Sequence, residues 1–366
     1  MATTSYARSD ALTVEKWAKR LAHEAGKGTE IAPLMGKNSQ SIIHVKDEIK
    51  SGGDKVTVGL RVRPTGGGTS STQTLEGNEE ALTTYSDSLV VDELNHAIRV
   101  KGNGTISQQR VLFNMRDEAR MGLSEWFADR YSVSFFNQMC GNTVANSSGL
   151  LYTGLNTVLA PSSGRHIWVD AASNNSDGDE NLASDDTMDL KWLSFAKEKA
   201  MTAQTPIRPI MVNGAKKFVC YLHPYQVVDL KIAAQASGSI SWADIQLAAL
   251  SAKDSTKNPI YTGALGEWDG IILREANDVT LGVNSGDATA SVSNTRRAVF
   301  MGAQAACAAW GKERSASSKF KWVEEGFDYD RELGVSGQTI FGLKKTQFNS
   351  EDFGSIVISS YAAAHG

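Results

Sequence analysis

Cysteine, proline and surplus positive charge are all scarce in this chain. The three cysteines, Cys140, Cys220 and Cys307, are odd in number, far apart and not in metal-ligand spacing, which excludes a disulfide framework and a zinc knuckle. They read as reduced core residues of a protein made in the cytosol. Lys and Arg number 37 against 41 Asp and Glu, a net charge of -4. A protein that wraps duplex DNA must neutralise phosphates, so this balance excludes tight gripping of nucleic acid by the whole surface. Long apolar runs are missing too. The longest small-and-apolar stretch, AVFMGAQAACAAW (298–310), is too short to cross a bilayer and contains Gln304. The first twenty residues show no apolar signal core. A soluble chain is predicted, and its 366 residues suffice for two domains, interleaved or in series.

Catalytic signatures are equally sparse. RPTGGGTSS (63–71) has no lysine after its glycines and no helical pattern behind it. It is therefore neither a phosphate loop nor a dinucleotide fingerprint. Glycines and small hydroxyls suit a tip that changes conformation. In the register of a calcium loop, SNNSDGDENLAS (173–184) puts Ser173 and Ser184 where Asp and Glu are required, and reads as a solvated acidic loop. The six histidines (His23, His44, His96, His166, His223, His365) never fall within four residues of one another, and Gly-x-Ser-x-Gly is absent. His223 reads as structural, and Asp328, Asp330 and Glu332 as salt-bridge partners. No catalytic residue, cofactor or metal site is predicted.

Local patterning, in contrast, is strong. Residues 10–26 carry an amphipathic helical pattern around Leu12, Trp17 and Leu21, with a stop at Gly26, and 27–45 reads as an extended strap. From Lys55 the period becomes two: Val56, Val58, Leu60 and Val62 share one face, and Thr57, Gly59, Arg61 and Arg63 the other. Pro64 ends that strand, and Gly66, Gly67 and Gly68 open a polar tip. The return strand is predicted in 86–102, where Leu94, His96, Ile98 and Val100 alternate with Glu93, Asn95, Ala97 and Arg99. Such a hairpin is marginal by itself and should lie on a partner. One unbroken spine helix is predicted over 107–140, capped by Ser107 and stopped at Gly141, close to about 50 Å long. Its stripe includes Leu112, Met115, Leu123, Trp126 and Phe127. Further helices are predicted at 187–203, capped by Asp185 or Asp186, from Pro224 onward, behind a Ser241/Asp244 capping box, and over 298–310. Strands in 206–224 and 258–275, and three C-terminal strands placed beside the spine, complete an α+β pattern.

The order of arm, hairpin, spine, α/β unit and returning strands resembles the major capsid proteins of tailed bacteriophages. The wording is similar to their podophage branch in FVCYLHPYQVVDLK (218–231), NPIYTGALGEWDGIILRE (258–275), RAVFMGAQAACAAWGK (297–312) and ELGVSGQTIFGLKKTQFNSEDFGSIVI (332–358). The resemblance implies an N-terminal arm (1–50), an extended loop (51–104), a peripheral domain (105–206), an axial domain (207–316) and C-terminal strands (317–366) that return to the peripheral domain. It implies a non-enzymatic shell subunit, forming hexamers and pentamers of an icosahedral head around weakly contacted double-stranded DNA. The virion is the implied location, assembly is in the bacterial cytoplasm, and portal, scaffolding or decoration proteins are implied partners; no membrane is. The hairpin residues Val56, Val58, Leu60, Arg61, Val62, Arg63, Gly66, Gly67 and Gly68 become intersubunit contacts, with Arg61 and Arg63 set against Asp117 or Glu118 of an adjacent spine. A nanocompartment shell of the encapsulin kind, enclosing a protein cargo, is the alternative the same fold offers.

Overall fold

The structure is a computed structural model that describes residues 31–49, 53–61, 64, 66–101, 106–110, 114–147, 156–170, 178–212, 214–236, 264–311, 319–329 and 331–365. The helices expected at 10–26 and behind Ser241 lie outside the described residues, as do Val62, Arg63 and Leu112.

The strap from the arm is built into the chain's own sheet. Strand β1 (Met35–Gly36) pairs with β2 (Ile43–Ile49), and β2 runs parallel to β13 (Ala306–Gly311), with Ile43 opposite Ala306 and Val45 opposite Ala308. Strands β3 (Lys55–Arg61) and β4 (Thr84–Val90) form the expected hairpin, Lys55 opposite Val90 and Arg61 opposite Thr84. The return strand predicted as one piece is divided at Val91. Its second half, β5 (Asp92–Lys101), leaves the hairpin and pairs along β15 (Glu332–Lys345), Val100 opposite Leu333 and Leu94 opposite Thr339. The expected alternation is present, but the partner of β5 is β15 rather than β3. The face of Leu94, His96 and Ile98 is covered by the spine helix, whose Trp126 stacks on His96 with centroids 4.2 Å apart.

The spine is shorter than its pattern. A five-residue helix α1 (Ile106–Arg110) precedes α2 (Met115–Cys140). Asn114 is extended at φ -79°, and its side chain accepts from the Arg116 N–H at 3.0 Å. An Asn that satisfies the first backbone donors starts a helix afresh, so α2 has 26 residues and spans about 39 Å. At the far end Gly141 adopts φ 65° and donates to the Asn137 and Gln138 carbonyls, the predicted stop. A Cβ there would also meet Pro161 Cδ at 2.6 Å.

The remaining chain builds a second sheet: β6 (His166–Trp168), helix α3 (Leu190–Thr202), β7 (Ile210–Val212), β8 (Ala215–Leu222), helix α4 (Pro224–Ala236), β9 (Ala264–Trp268), β10 (Ile271–Glu275), β11 (Leu281–Val283) and β12 (Ser291–Met301). After β13 come β14 (Phe320–Phe327), β15, the short pair β16 (Gln347–Phe348) and β17 (Glu351–Asp352), and β18 (Ser355–Tyr361). Helix α3 is capped by Asp189, not Asp185 or Asp186; Asp186 instead accepts from the Ala183 N–H.

Two sheets result. The first runs β1-β2-β13-β15-β14, with β5 on β15; the second runs β6-β18-β12-β8-β10-β9, with β11 on β12 and β7 on β8. Residues 298–310, expected as a helix, are the end of β12, a reversal, and β13. Small residues serve here for burial on both faces of a sheet, and tertiary packing overrides the helical preference of alanine. The crossing also moves β13 into the spine's sheet. Of the C-terminal strands, β14 and β15 do lie beside the spine, whereas β18 joins the second sheet between β6 and β12.

Helix α2 ties the sheets together. Leu123, Phe127 and Tyr131 pack into a core with Phe320, Trp322, Val335 and Phe341 of the first sheet. Farther along, Phe136 meets Tyr221 of β8 edge to face at 5.4 Å. Helices α3 and α4 cover the opposite face of the second sheet, burying Leu193, Ala196, Val227 and Leu230 against Phe218, Cys220 and Phe300. All three cysteines are free and buried, and burial pushes their thiols up, Cys307 to about 11.

Candidate functional site

The extended hairpin is clamped at its base and bare at its tip. Val56 is buried with Leu89, Val91, Cys307 and Ala309, and Val58 packs on the same cluster. Leu60 is half-buried and Arg61 exposed, so the predicted two-faced strand is present as far as it is described. The clamp itself was not foreseen. Asn156 accepts from the Val90 N–H at 2.9 Å and donates to the Val90 carbonyl at 2.6 Å. Asp87 holds Lys344 Nζ at 2.5 Å and accepts from the Gln347 N–H at 3.1 Å. Gly342 lets β15 approach so closely that a Cβ there would stand 2.3 Å from the Val90 carbonyl oxygen. These partners are 66 to 260 residues apart in sequence, so no local pattern announces them.

Beyond the clamp every residue from Ser70 to Ser86 is exposed, as are Gly66, Gly67 and Gly68. The tip is tied chiefly to itself: the Gly66 N–H donates to Glu80 at 2.7 Å, the Gly77 N–H to Glu79 at 2.8 Å, and Asn78 Nδ2 to the Thr74 carbonyl at 2.8 Å. Leu75 and Leu82 stand 66% and 62% exposed on it. Of the predicted spine residues, Leu123 and Phe127 are fully buried, while Met115 and Trp126 are half-buried. Arg61 stands exposed on the hairpin stem, and the exposed face of the spine carries Glu118, Met121, Glu125 and Asp129.

Behind the spine's C-terminus sits a buried ionic knot. Asp179, placed by the sequence in a solvated loop, is inaccessible to solvent. Its carboxylate meets Arg297 Nε at 2.7 Å and accepts from the Val283 N–H at 2.9 Å and Trp168 Nε1 at 3.1 Å. Burial raises that carboxyl, but Arg297 and then His166 outweigh it and hold it below the usual carboxylate range. Arg297 also donates to the Cys140 and Gly141 carbonyls at 3.2 and 2.8 Å, placing a cation at the negative end of α2. A second buried pair, Lys345 and Asp352 at 3.0 Å, draws in the Leu159 carbonyl. The wall of a cavity of about 340 Å3 includes His166, Asp179 and Arg297. Among the described residues no group of three or more His, Cys, Asp or Glu could hold a metal ion.

His166 gives this region a pH dependence. Its Nε2 lies 2.7 Å from Ser359 Oγ, and burial, only partly opposed by Asp179, lowers its pKa to about 3. Arg297, Lys199 and Lys345 add to the lowering. The unfolded chain takes up a proton near pH 6.5 that the native chain refuses, so stability falls as pH drops below that value. The loss is about 1.4 kcal/mol per pH unit. His166→Asn should abolish this component. Urea midpoints between pH 7 and 5 that fall in parallel for both proteins would contradict it.

A hairpin clamped at its base and exposed along a polar tip projects from a two-sheet body. A family model described as phage capsid protein matches residues 3–364, and the chain belongs to that family. It is a major capsid protein, forming the shell of a phage head. The major capsid protein of Pseudomonas phage KPP25 is 27% identical over 388 aligned residues, covering 99% of this chain and 98% of the relative. The capsid of Ralstonia phage GP4 is 28% identical with a TM-score of 0.78, covering 100% of both chains. The holo-SrpI encapsulin of Synechococcus elongatus is similar in fold alone, at 10% identity and a TM-score of 0.50 over 89% of this chain and 88% of that one. The likeness to the Ralstonia phage GP4 capsid is the stronger in both identity and TM-score. As a phage capsid protein, the chain belongs to the virion.

Proposed function

We propose that this capsid protein closes an icosahedral head from hexamers and pentamers, with the tip of its hairpin (51–104) laid on a neighbouring subunit, while the arm strands β1 and β2 and strand β5 stay in the chain's own sheet. The spine helix α2 and the C-terminal strands β14 and β15 form a peripheral unit, whereas β6, α3 and β18 pack with the strands of the second sheet. An axial unit begins near residue 207, and we draw its second boundary at the turn 302–305, because β13 pairs with the spine's strands. The role is structural rather than catalytic. The head encloses double-stranded DNA touched weakly, as a net charge of -4 favours. Portal and scaffolding or decoration proteins complete it, and assembly takes place in the bacterial cytoplasm. A shell around a protein cargo is distinguished by its contents: nuclease-protected DNA inside purified particles supports the head.

The observation that carries this reading is the exposed tip. Two leucines in water on a polar projection, above a base fixed in its own chain, are a contact awaiting its other half. On the stem, Arg61 and Arg63 are assigned to Asp117 or Glu118 of the adjacent spine. The test is negative-stain microscopy and solution mass of the purified full-length chain. Closed uniform shells or six- and five-membered rings are expected. Arg61→Glu should reduce their yield, and Glu118→Arg in the same chain should restore it. A monomer that never assembles, even concentrated with its phage partners, would sink the reading; absence of rescue would sink the stem pairing alone.

A further inference from the structure

We infer that the hairpin tip of one subunit seats on helix α3 of a second copy, with Leu75 and Leu82 against the aromatic pair Trp192 and Phe195. The inference rests on the reading that the hairpin reaches a neighbour, and adds the surface that receives it. Helix α3 turns Leu190, Leu193, Ala196 and Ala200 inward. Its opposite face presents Lys191, Phe195 and Glu198 to solvent. There Trp192 and Phe195 meet edge to face with centroids 5.5 Å apart, Phe195 is 48% exposed, and Lys191 Nζ stands 5.4 Å from the Trp192 ring. Aromatic anchors of this kind gain most when an interface buries them.

Charge decides which surface suits the tip. Between Gly66 and Thr83 the tip carries Glu76, Glu79 and Glu80 and no basic residue. Glu79 and Glu80 are engaged by the Gly77 and Gly66 N–H groups, which leaves Glu76 beside Leu75 to meet Lys191. The exposed face of the spine also offers an apolar residue, Met121, but sets it among Glu118, Glu125 and Asp129. An acidic tip is repelled there, whereas on α3 Lys191 beside the aromatic pair offers Glu76 an opposite charge.

The experiment introduces Leu75→Cys and Phe195→Cys together into the full-length chain, under assembly conditions and mild oxidation. The three native cysteines are buried, so a ladder of covalent multimers on a non-reducing gel is expected from the double variant and from neither single one. Shells without a ladder would overturn the docking site and leave the hairpin-to-neighbour reading standing. A covalently closed monomer would place the contact within one chain and overturn it as well. Should the double variant fail to assemble, Glu76→Lys and Lys191→Glu provide a second route. Each alone should lower shell yield about tenfold, and the pair together should recover it. A pair no better than its singles overturns the proposal. A wild-type chain that forms no shells under any condition strikes the underlying reading, and the docking site falls with it.

Discussion

Arg297→Met is expected to cost the isolated subunit about 3–5 kcal/mol, because it leaves the Asp179 carboxylate buried without its cation. Three losses coincide at this one side chain. The 2.7 Å pair with Asp179 disappears, and the Cys140 and Gly141 carbonyls lose donors at 3.2 and 2.8 Å. The negative end of α2 also loses its counter-charge. A reference variant separates the charge from the packing. In Arg297→Met with Asp179→Leu no ion remains unpaired, and replacing both partners of a buried pair by apolar groups is often close to neutral. Urea denaturation of unassembled subunits should show a large fall in midpoint for the single variant and recovery of much of it in the double. Equal falls would mean that shape, not charge, makes the knot matter.

Phe127→Ala should destabilise by a similar amount, about 3–5 kcal/mol, the usual range for deleting a fully buried aromatic ring. Phe127 is inaccessible to solvent at the middle of the spine. It meets Trp126 at 5.0 Å, Phe320 at 5.0 Å and Tyr131 at 6.5 Å, so the space it leaves is walled by rigid rings that cannot collapse into it. Met121→Ala on the outward face of the same helix is the control, and should stay within about 0.5 kcal/mol of wild type. A Phe127→Ala protein within 1 kcal/mol of wild type, by the same urea measurement, would show that the spine does not depend on this cluster. At acid pH the Arg297→Met loss should shrink. Asp179 is held below its ordinary range in the native protein, so its contribution is present above the unfolded carboxylate pKa and is lost as pH falls through the folded one.

How much of this was legible in the sequence depended on the range of the interactions. The hairpin face of Val56, Val58 and Leu60, the stop at Gly141 and the helix from Pro224 are written in neighbours two to four residues apart, and the structure has them. The break at Asn114 was available in principle, as an Asn that caps, but a longer apolar stripe concealed it. Ala-rich 298–310 carries no periodic signal that separates a buried strand from a buried helix, and only its pairing with Ile43–Lys46 and Phe341–Lys345 decides. The clamp of Asp87, Asn156, Gly342 and Lys344 and the Asp179–Arg297 knot are assembled by topology alone. A charged residue destined for burial looks the same in sequence as one destined for water. Asp179 is such a residue, buried although the next two in the chain are exposed.

The chain passes between its two sheets through α2, through the β12–β13 turn and again between β15 and β18. Three covalent crossings, one of them the shared helix itself, make a stiff tile rather than a hinge. A closed surface nevertheless needs both flat and pointed neighbourhoods, and rings of six and of five bend by different amounts. A tile of this kind cannot supply the difference from within. With the hairpin placed as proposed, the curvature of the particle is taken up at its seams, where a glycine-bearing tip hangs from a fixed clamp.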